Sequence, residues 1–142
     1  MTWKGLIGIS PAGVVTFVSD LWEGSASDKQ ITKDSALVDM CEPGDAIMAD
    51  KGFLISDITT PKGAHLIIPL FKKKKKHFFK REVQQTRTIA NFRIHVERQM
   101  ERIKIFNILK TVMPIHMSQQ VTKIWKICTR LTNLQPPLCK AN

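Results

Sequence analysis

The stretch that most strongly indicates the fold is Pro43-Gly44-Asp45-Ala46-Ile47-Met48-Ala49-Asp50-Lys51-Gly52. Pro43-Gly44 is a turn signal, and the continuous apolar run after it is typical of a central strand covered on both faces. Asp50 would then lie at the carboxyl end of that strand, where open α/β sheets bind their ligands. An aspartate before Lys-Gly is also an ordinary strand-to-turn residue. Asp50 alone therefore leaves a structural and a functional role open.

A second carboxylate, Glu97, lies in a segment with helical periodicity over residues 83–105. On a wheel of about 100° per residue, Glu97 falls between two apolar stripes. A lone carboxylate facing a core is costly unless it is neutralised, paired or bound to a metal. An ion pair with Arg93, one turn earlier, would explain a carboxylate at this position as well as a bound metal would. The polar arc of this helix comprises Gln84, Thr88, Asn91, His95, Arg98, Gln99 and Arg102; the apolar stripes comprise Ile89, Phe92, Val96, Met100 and Ile103, and Ala90, Ile94 and Ile105.

The rest of the chain alternates short strands and helices. Ser10-Pro11-Ala12-Gly13 is a strong turn signal between two apolar runs, which predicts an antiparallel hairpin. Residues 54–60 are ambiguous. The further elements that we predict are strands at about 4–9, 14–20 and 65–69, and helices at about 28–41 and 117–133, besides the Asp50 strand and the Glu97 helix.

Composition narrows the class of protein. The 142 residues include 22 Lys and Arg against 12 Asp and Glu, which gives a net charge of +10. This charge favours an acidic polymer such as nucleic acid as the binding partner, although an anionic membrane surface would attract the chain too. No apolar run approaches the roughly 18 residues of a membrane span, so we expect no membrane insertion. Three cysteines fit neither a zinc site nor a disulfide framework, and we expect them to be reduced.

A basic segment precedes the Glu97 helix. Five consecutive lysines repel one another, so a solvated surface loop is one interpretation. Contact with DNA phosphates and nuclear localisation are two others. Arg98 and Arg102 lie on the polar arc and would face DNA or a partner. The lysines are Lys72, Lys73, Lys74, Lys75 and Lys76.

These motifs, in this order, carry a family resemblance. Three segments resemble the DDE endonuclease domain of Harbinger-type transposases and their host-derived nuclease relatives. In chain order they are Ile47-Met48-Ala49-Asp50-Lys51-Gly52-Phe53, Ile89-Ala90 and Arg93-Ile94-His95-Val96-Glu97-Arg98. The interval from Asp50 to Glu97 is similar to that between the family's second and third acidic residues. The resemblance runs to about Pro137, which gives a domain at 1–137 and a tail at 138–142. The start of the chain also agrees with this resemblance, at Lys4-Gly5-Leu6-Ile7-Gly8-Ile9-Ser10-Pro11, Gly13, Gly24-Ser25 and Ser27-Asp28-Lys29.

The resemblance implies a fold and an activity. The fold is α/β and RNase H-like, with a mixed sheet flanked by helices. The activity is metal-dependent cleavage of DNA phosphodiester bonds, in which Asp50 and Glu97 are catalytic and bind Mg²⁺ or Mn²⁺. The family's first catalytic aspartate lies on a strand before Lys4. That strand is missing from this sequence, and we expect the nuclease activity to be impaired.

The missing strand has two further consequences. Asp20 and Asp28 are the only nearby candidates to substitute for the absent ligand, and we expect neither to replace it. Strand 4–9 would keep an unpaired edge, through which the chain could self-associate.

Two classes of function follow. One is a DDE nuclease domain acting in the nucleus, with targeting by a separate DNA-reading protein, since the sequence has no recognisable sequence-reading motif. The other is a catalytically inactive remnant that binds DNA or a protein. A basic RNA-binding domain is a weaker third interpretation.

Overall fold

The computed structural model describes residues 2–50, 52–53, 55–68, 80–110 and 115–138, and in this part the chain is mixed α/β, as predicted. The chain forms two units, one of Met1–Ser27 with Ile94–Asn142 and the other of Asp28–Arg93. The strands are β1 (Trp3–Lys4), β2 (Ile7–Ile9), β3 (Val15–Val18), β4 (Trp22–Glu23), β5 (Ala46–Met48) and β6 (His65–Ile67). The α-helices are α1 (Asp28–Asp34), α2 (Ser56–Thr59), α3 (Lys80–Lys104), α4 (Asn107–Lys110) and α5 (Ser118–Leu131); short 3₁₀ turns lie at Val38–Met40, Thr60–Lys62, Ile115–Met117 and Thr132–Leu134.

The predicted hairpin is confirmed. Strands β2 and β3 pair antiparallel, with a shift of register between Gly8 and Ile9, and β1 pairs antiparallel with β4. Gly13 in the connecting turn is buried and has φ +86°, where a Cβ atom would lie 2.9 Å from Cβ of Leu138. The turn therefore requires glycine at this position.

Helix α5 packs against this hairpin in the first unit. The core there consists of Val15, Val18, Ile103 and Trp125. The indole N–H of Trp125 donates a hydrogen bond to the backbone carbonyl of Ser19 at 3.0 Å. Helix α5, which confirms the helix predicted at about 117–133, buries Val121, Trp125, Cys128 and Thr129.

Strand β5 lies in the second unit and pairs in parallel with β6. The prediction of a strand covered on both faces is wrong for the described residues, because Ala46 is exposed and Met48 is 38% exposed. Within the described ranges β6 is the only strand paired with β5. A strand is buried on both faces only where other elements cover both faces of its sheet.

The helix predicted at about 28–41 is shorter than expected. Helix α1 ends at Asp34, and a 3₁₀ turn follows at Val38–Met40. Ala36 between them has φ +59°, a left-handed conformation that stops an α-helix. The ambiguous residues 54–60 contain helix α2, which begins at Ser56. The strand predicted at 65–69 is confirmed over His65–Ile67, whereas Pro69 lies outside the described residues.

The Glu97 helix is confirmed as α3, but the helical wheel predicted the wrong exposure for several residues. Gln99, assigned to the polar arc, is only 1% exposed. Ile94 and Ile105, assigned to an apolar stripe, are 44% and 64% exposed. A wheel reports angles within one helix and cannot show which side meets the rest of the chain.

Two of the three cysteines lie in the described part. Cys41 is half-buried, Cys128 is buried, and both are free thiols. Burial raises the pKa of each thiol above its ordinary value. Cys139 lies outside the described residues.

None of the helices in the described ranges combines the length and the apolar character that crossing a bilayer requires.

Candidate functional site

Asp50 follows the carboxyl end of β5, as the sequence predicted. Ala49 still donates its N–H to the carbonyl of Ile67 at 2.9 Å, so the strand pairing extends to the residue before Asp50. The backbone carbonyl of Asp50 accepts a hydrogen bond from the N–H of Phe53 at 2.9 Å, which closes a turn directly after the strand. The backbone of Asp50 is thereby held while its side chain is 61% exposed.

Arg93 is a neighbour of Asp50 within the second unit. Its Nη2 atom lies 3.4 Å from Oδ2 of Asp50, and its side chain is 55% exposed. The sequence singled out Arg93 as a possible partner for Glu97 within the helix. A contact to Asp50, 43 residues earlier in the chain, was missed because helical spacing shows only neighbours on the same helix.

Glu97 does not face a core. Its side chain is exposed, and so are Ile94 and Val96 beside it, at 44% and 43%. The argument that a buried carboxylate needs a metal or an ion pair is therefore wrong for Glu97. Asp50 belongs to the unit Asp28–Arg93 and Glu97 to the other unit, so the joint site of the two carboxylates stays a prediction.

The predicted DNA-contacting residues fall in two groups. Arg98 is exposed and Arg102 is half-buried, both on α3 in the first unit. Lys72, Lys73, Lys74, Lys75 and Lys76 lie outside the described residues. Contact of either group with DNA stays a prediction.

Asp20 and Asp28, the two other candidate ligands, each make a structural contact. Oδ1 of Asp20 lies 2.5 Å from Nζ of Lys126 on α5. Asp28 begins α1, and its backbone carbonyl accepts a hydrogen bond from the hydroxyl of Thr32 at 2.7 Å. The expectation that neither residue replaces a catalytic ligand stays a prediction.

The donor chemistry of the two predicted site residues fits a hard divalent cation. Asp50 and Glu97 are exposed carboxylates, the ligand type that Mg²⁺ and Mn²⁺ prefer. Over the described ranges, no three His, Cys, Asp or Glu side chains are close enough together to hold a metal ion. Asp50 has Arg93 as a cationic neighbour. A metal ion would have to compete with that guanidinium for the carboxylate.

Comparison with known proteins agrees with these observations. The family model described as DDE superfamily endonuclease matches residues 1–133. No curated protein and no solved structure matches the chain significantly. The mixed α/β architecture agrees with the RNase H-like fold of that family. Since the match covers most of the 142 residues, the chain belongs to the DDE superfamily of endonucleases.

Proposed function

We propose that this chain is a transposase-derived nuclease domain that cleaves DNA phosphodiester bonds with a divalent metal, through Asp50 and Glu97. The observation that carries the proposal is the family match over residues 1–133. The position of Asp50 supports it, because this exposed carboxylate follows a strand of a parallel pair at its carboxyl end.

The residues of the chain have separate tasks in this reaction. The carboxylates of Asp50 and Glu97 supply hard oxygen ligands. A bound divalent cation supplies an activated nucleophile and stabilises the charge that develops on the phosphate oxygens. Arg98 and Arg102 neutralise DNA phosphates and position the duplex without reading its sequence, and so do the lysines at 72–76.

We further propose that the domain acts in the nucleus and depends on a separate protein for DNA targeting. The +10 net charge supports attraction to DNA of any sequence, which does not by itself select a target. Self-association is a further part of the proposal. In the described part of the chain β2 pairs with β3 alone, so the other edge of β2 can pair with a second copy.

A second candidate function is a catalytically inactive remnant that binds DNA or a protein. The contact between Arg93 and Asp50 favours it, because the guanidinium neutralises a carboxylate that the metal requires. The basic surface would be kept in such a remnant.

A plasmid-nicking assay in Mg²⁺ or Mn²⁺ separates the two functions. We expect slow nicking, since the activity is expected to be impaired, and we expect chelation, Asp50→Asn or Glu97→Gln to abolish it. Glu101→Gln is the matched control, because Glu101 is an exposed carboxylate one turn beyond Glu97 on α3. DNA binding without nicking in the unmodified chain would establish the remnant. Nicking that survives both site variants would contradict the assignment of Asp50 and Glu97.

A further inference from the structure

The contact between Arg93 and Asp50 has the geometry of an exchangeable ion pair. One guanidinium nitrogen, Nη2, lies 3.4 Å from one carboxylate oxygen, Oδ2, which is long for a charge-assisted hydrogen bond. The side chains are 55% and 61% exposed, so both charges remain hydrated. Ion pairs of this kind are weak and readily broken.

The two side chains can separate without unfolding the backbone on either side. Arg93 lies within the 25-residue helix α3, which continues beyond it in both directions. The backbone of Asp50 is held by the hydrogen bond from Phe53, and that of Ala49 by its bond to Ile67. Rotation about the long side chain of Arg93 is therefore enough to break this contact.

A divalent cation that binds Oδ2 of Asp50 would compete with the guanidinium for that oxygen. Both are positive, and they repel each other at the distances of a shared ligand. Arginine does not lose its proton in the physiological range of pH, so deprotonation cannot relieve this competition. The cation must displace the guanidinium.

We propose that Arg93 is an exchangeable counter-ion of Asp50, which pairs with the carboxylate until a divalent cation displaces it. Arg93 thereby weakens metal binding and raises the cation concentration that the site requires. This inference rests on the proposed function in one respect, namely that Asp50 binds metal. It assigns Arg93 a role in controlling metal access.

The test is a titration of the whole chain with Mn²⁺ in the absence of DNA. Binding at Asp50 is followed by paramagnetic broadening of the backbone amide signals of Gly52 and Phe53. We expect Arg93→Gln to bind Mn²⁺ about two- to fivefold more tightly than the unmodified chain, the range that a weak exposed ion pair allows. Arg93→Lys keeps the positive charge and should restore most of the competition.

Two further variants make the test decisive. Arg87→Gln removes the same charge from an exposed position on the same helix and in the same unit, and should leave the affinity unchanged. Asp50→Asn should abolish the broadening. If Arg93→Gln binds Mn²⁺ no more tightly than Arg87→Gln, while Asp50→Asn still abolishes binding, the counter-ion role is overturned and the metal site stands. If Asp50→Asn changes nothing, both the inference and the metal role of Asp50 fail.

Discussion

The side-chain amide of Asn133 makes two hydrogen bonds to the backbone of Val15, accepting one from its N–H and donating one to its carbonyl, each at 2.9 Å. A neighbouring strand would make the same pair of bonds. Trp125 on α5 donates a hydrogen bond to the carbonyl of Ser19, the residue after β3. The C-terminal helix and the turn after it thus cover the outer edge of β3, which would otherwise be open to another chain.

Replacing Asn133 by alanine should destabilise the first unit by about 1–3 kcal/mol, because the N–H and carbonyl of Val15 lose their partners and Val15 is only 5% exposed. Urea denaturation gives the free energy of unfolding, and hydrogen exchange gives the protection of the Val15 amide. Asn91→Ala on the exposed side of α3 is the control and should change stability by less than about 0.5 kcal/mol. Equal effects of the two variants, with Val15 still protected, would show that the amide contributes nothing.

The buried hydroxyl of Thr132 is the centre of a second polar contact. It accepts a hydrogen bond from the side-chain amide of Gln99 and donates one to the backbone carbonyl of Thr129 at 2.5 Å. Gln99 and Thr132 are each 1% exposed. Thr132→Val keeps the shape but leaves the Gln99 amide without this acceptor, which should cost about 1–3 kcal/mol in chemical denaturation.

A double variant tests the reason for that loss. Adding Gln99→Leu to Thr132→Val removes the orphaned amide and should recover part of the stability. Thr16→Val is the control, since Thr16 is exposed on β3 and should tolerate the change. If the double variant is less stable than the single one by the full effect of Gln99→Leu alone, the two side chains are not coupled.

The parts of the fold that follow from local chemistry were predictable from the sequence. The hairpin follows from its Pro and Gly turn, and α3 and α5 follow from helical periodicity. Two features were missed. Ala36 interrupts the first predicted helix although alanine is a strong helix former, and Gln99 is buried because its partner Thr132 comes from another element, 33 residues away.

The candidate site was likewise predictable only where local sequence determines it. The position of Asp50 after a strand could be read from the Pro43-Gly44 turn and the apolar run. The exposure of Glu97 could not, because it depends on what covers α3 and not on the angle of Glu97 around the helix. The contact of Arg93 with Asp50 joins two segments far apart in sequence, which no single periodicity connects.

Asp57 should titrate at a lower pH than an ordinary aspartate. Nζ of Lys29 lies 2.5 Å from Oδ2 of Asp57, and its hydrogen bond lowers the pKa of that carboxyl. Because the folded pKa lies below the unfolded one, the pair contributes stability above the unfolded pKa and loses it as the pH falls through the folded pKa. An NMR titration of the Asp57 carboxyl should show the depressed pKa, which Lys29→Gln raises and Lys33→Gln, elsewhere on α1, leaves unchanged. A pKa that does not respond to Lys29→Gln would contradict the pairing.

DNA binding should depend steeply on salt and only weakly on sequence. Each arginine that neutralises one phosphate contributes about 0.9 to the slope of log Kd against log salt concentration. Fluorescence polarisation with a labelled duplex should therefore show a slope lower by about 1 for Arg98→Gln and for Arg102→Gln, and lower by several for glutamine at all five positions from 72 to 76. Arg130→Gln removes the same charge from an exposed position on α5 outside the proposed DNA surface. If Arg130→Gln lowers the slope as much as Arg98→Gln does, the binding reflects overall charge and not a defined surface on α3.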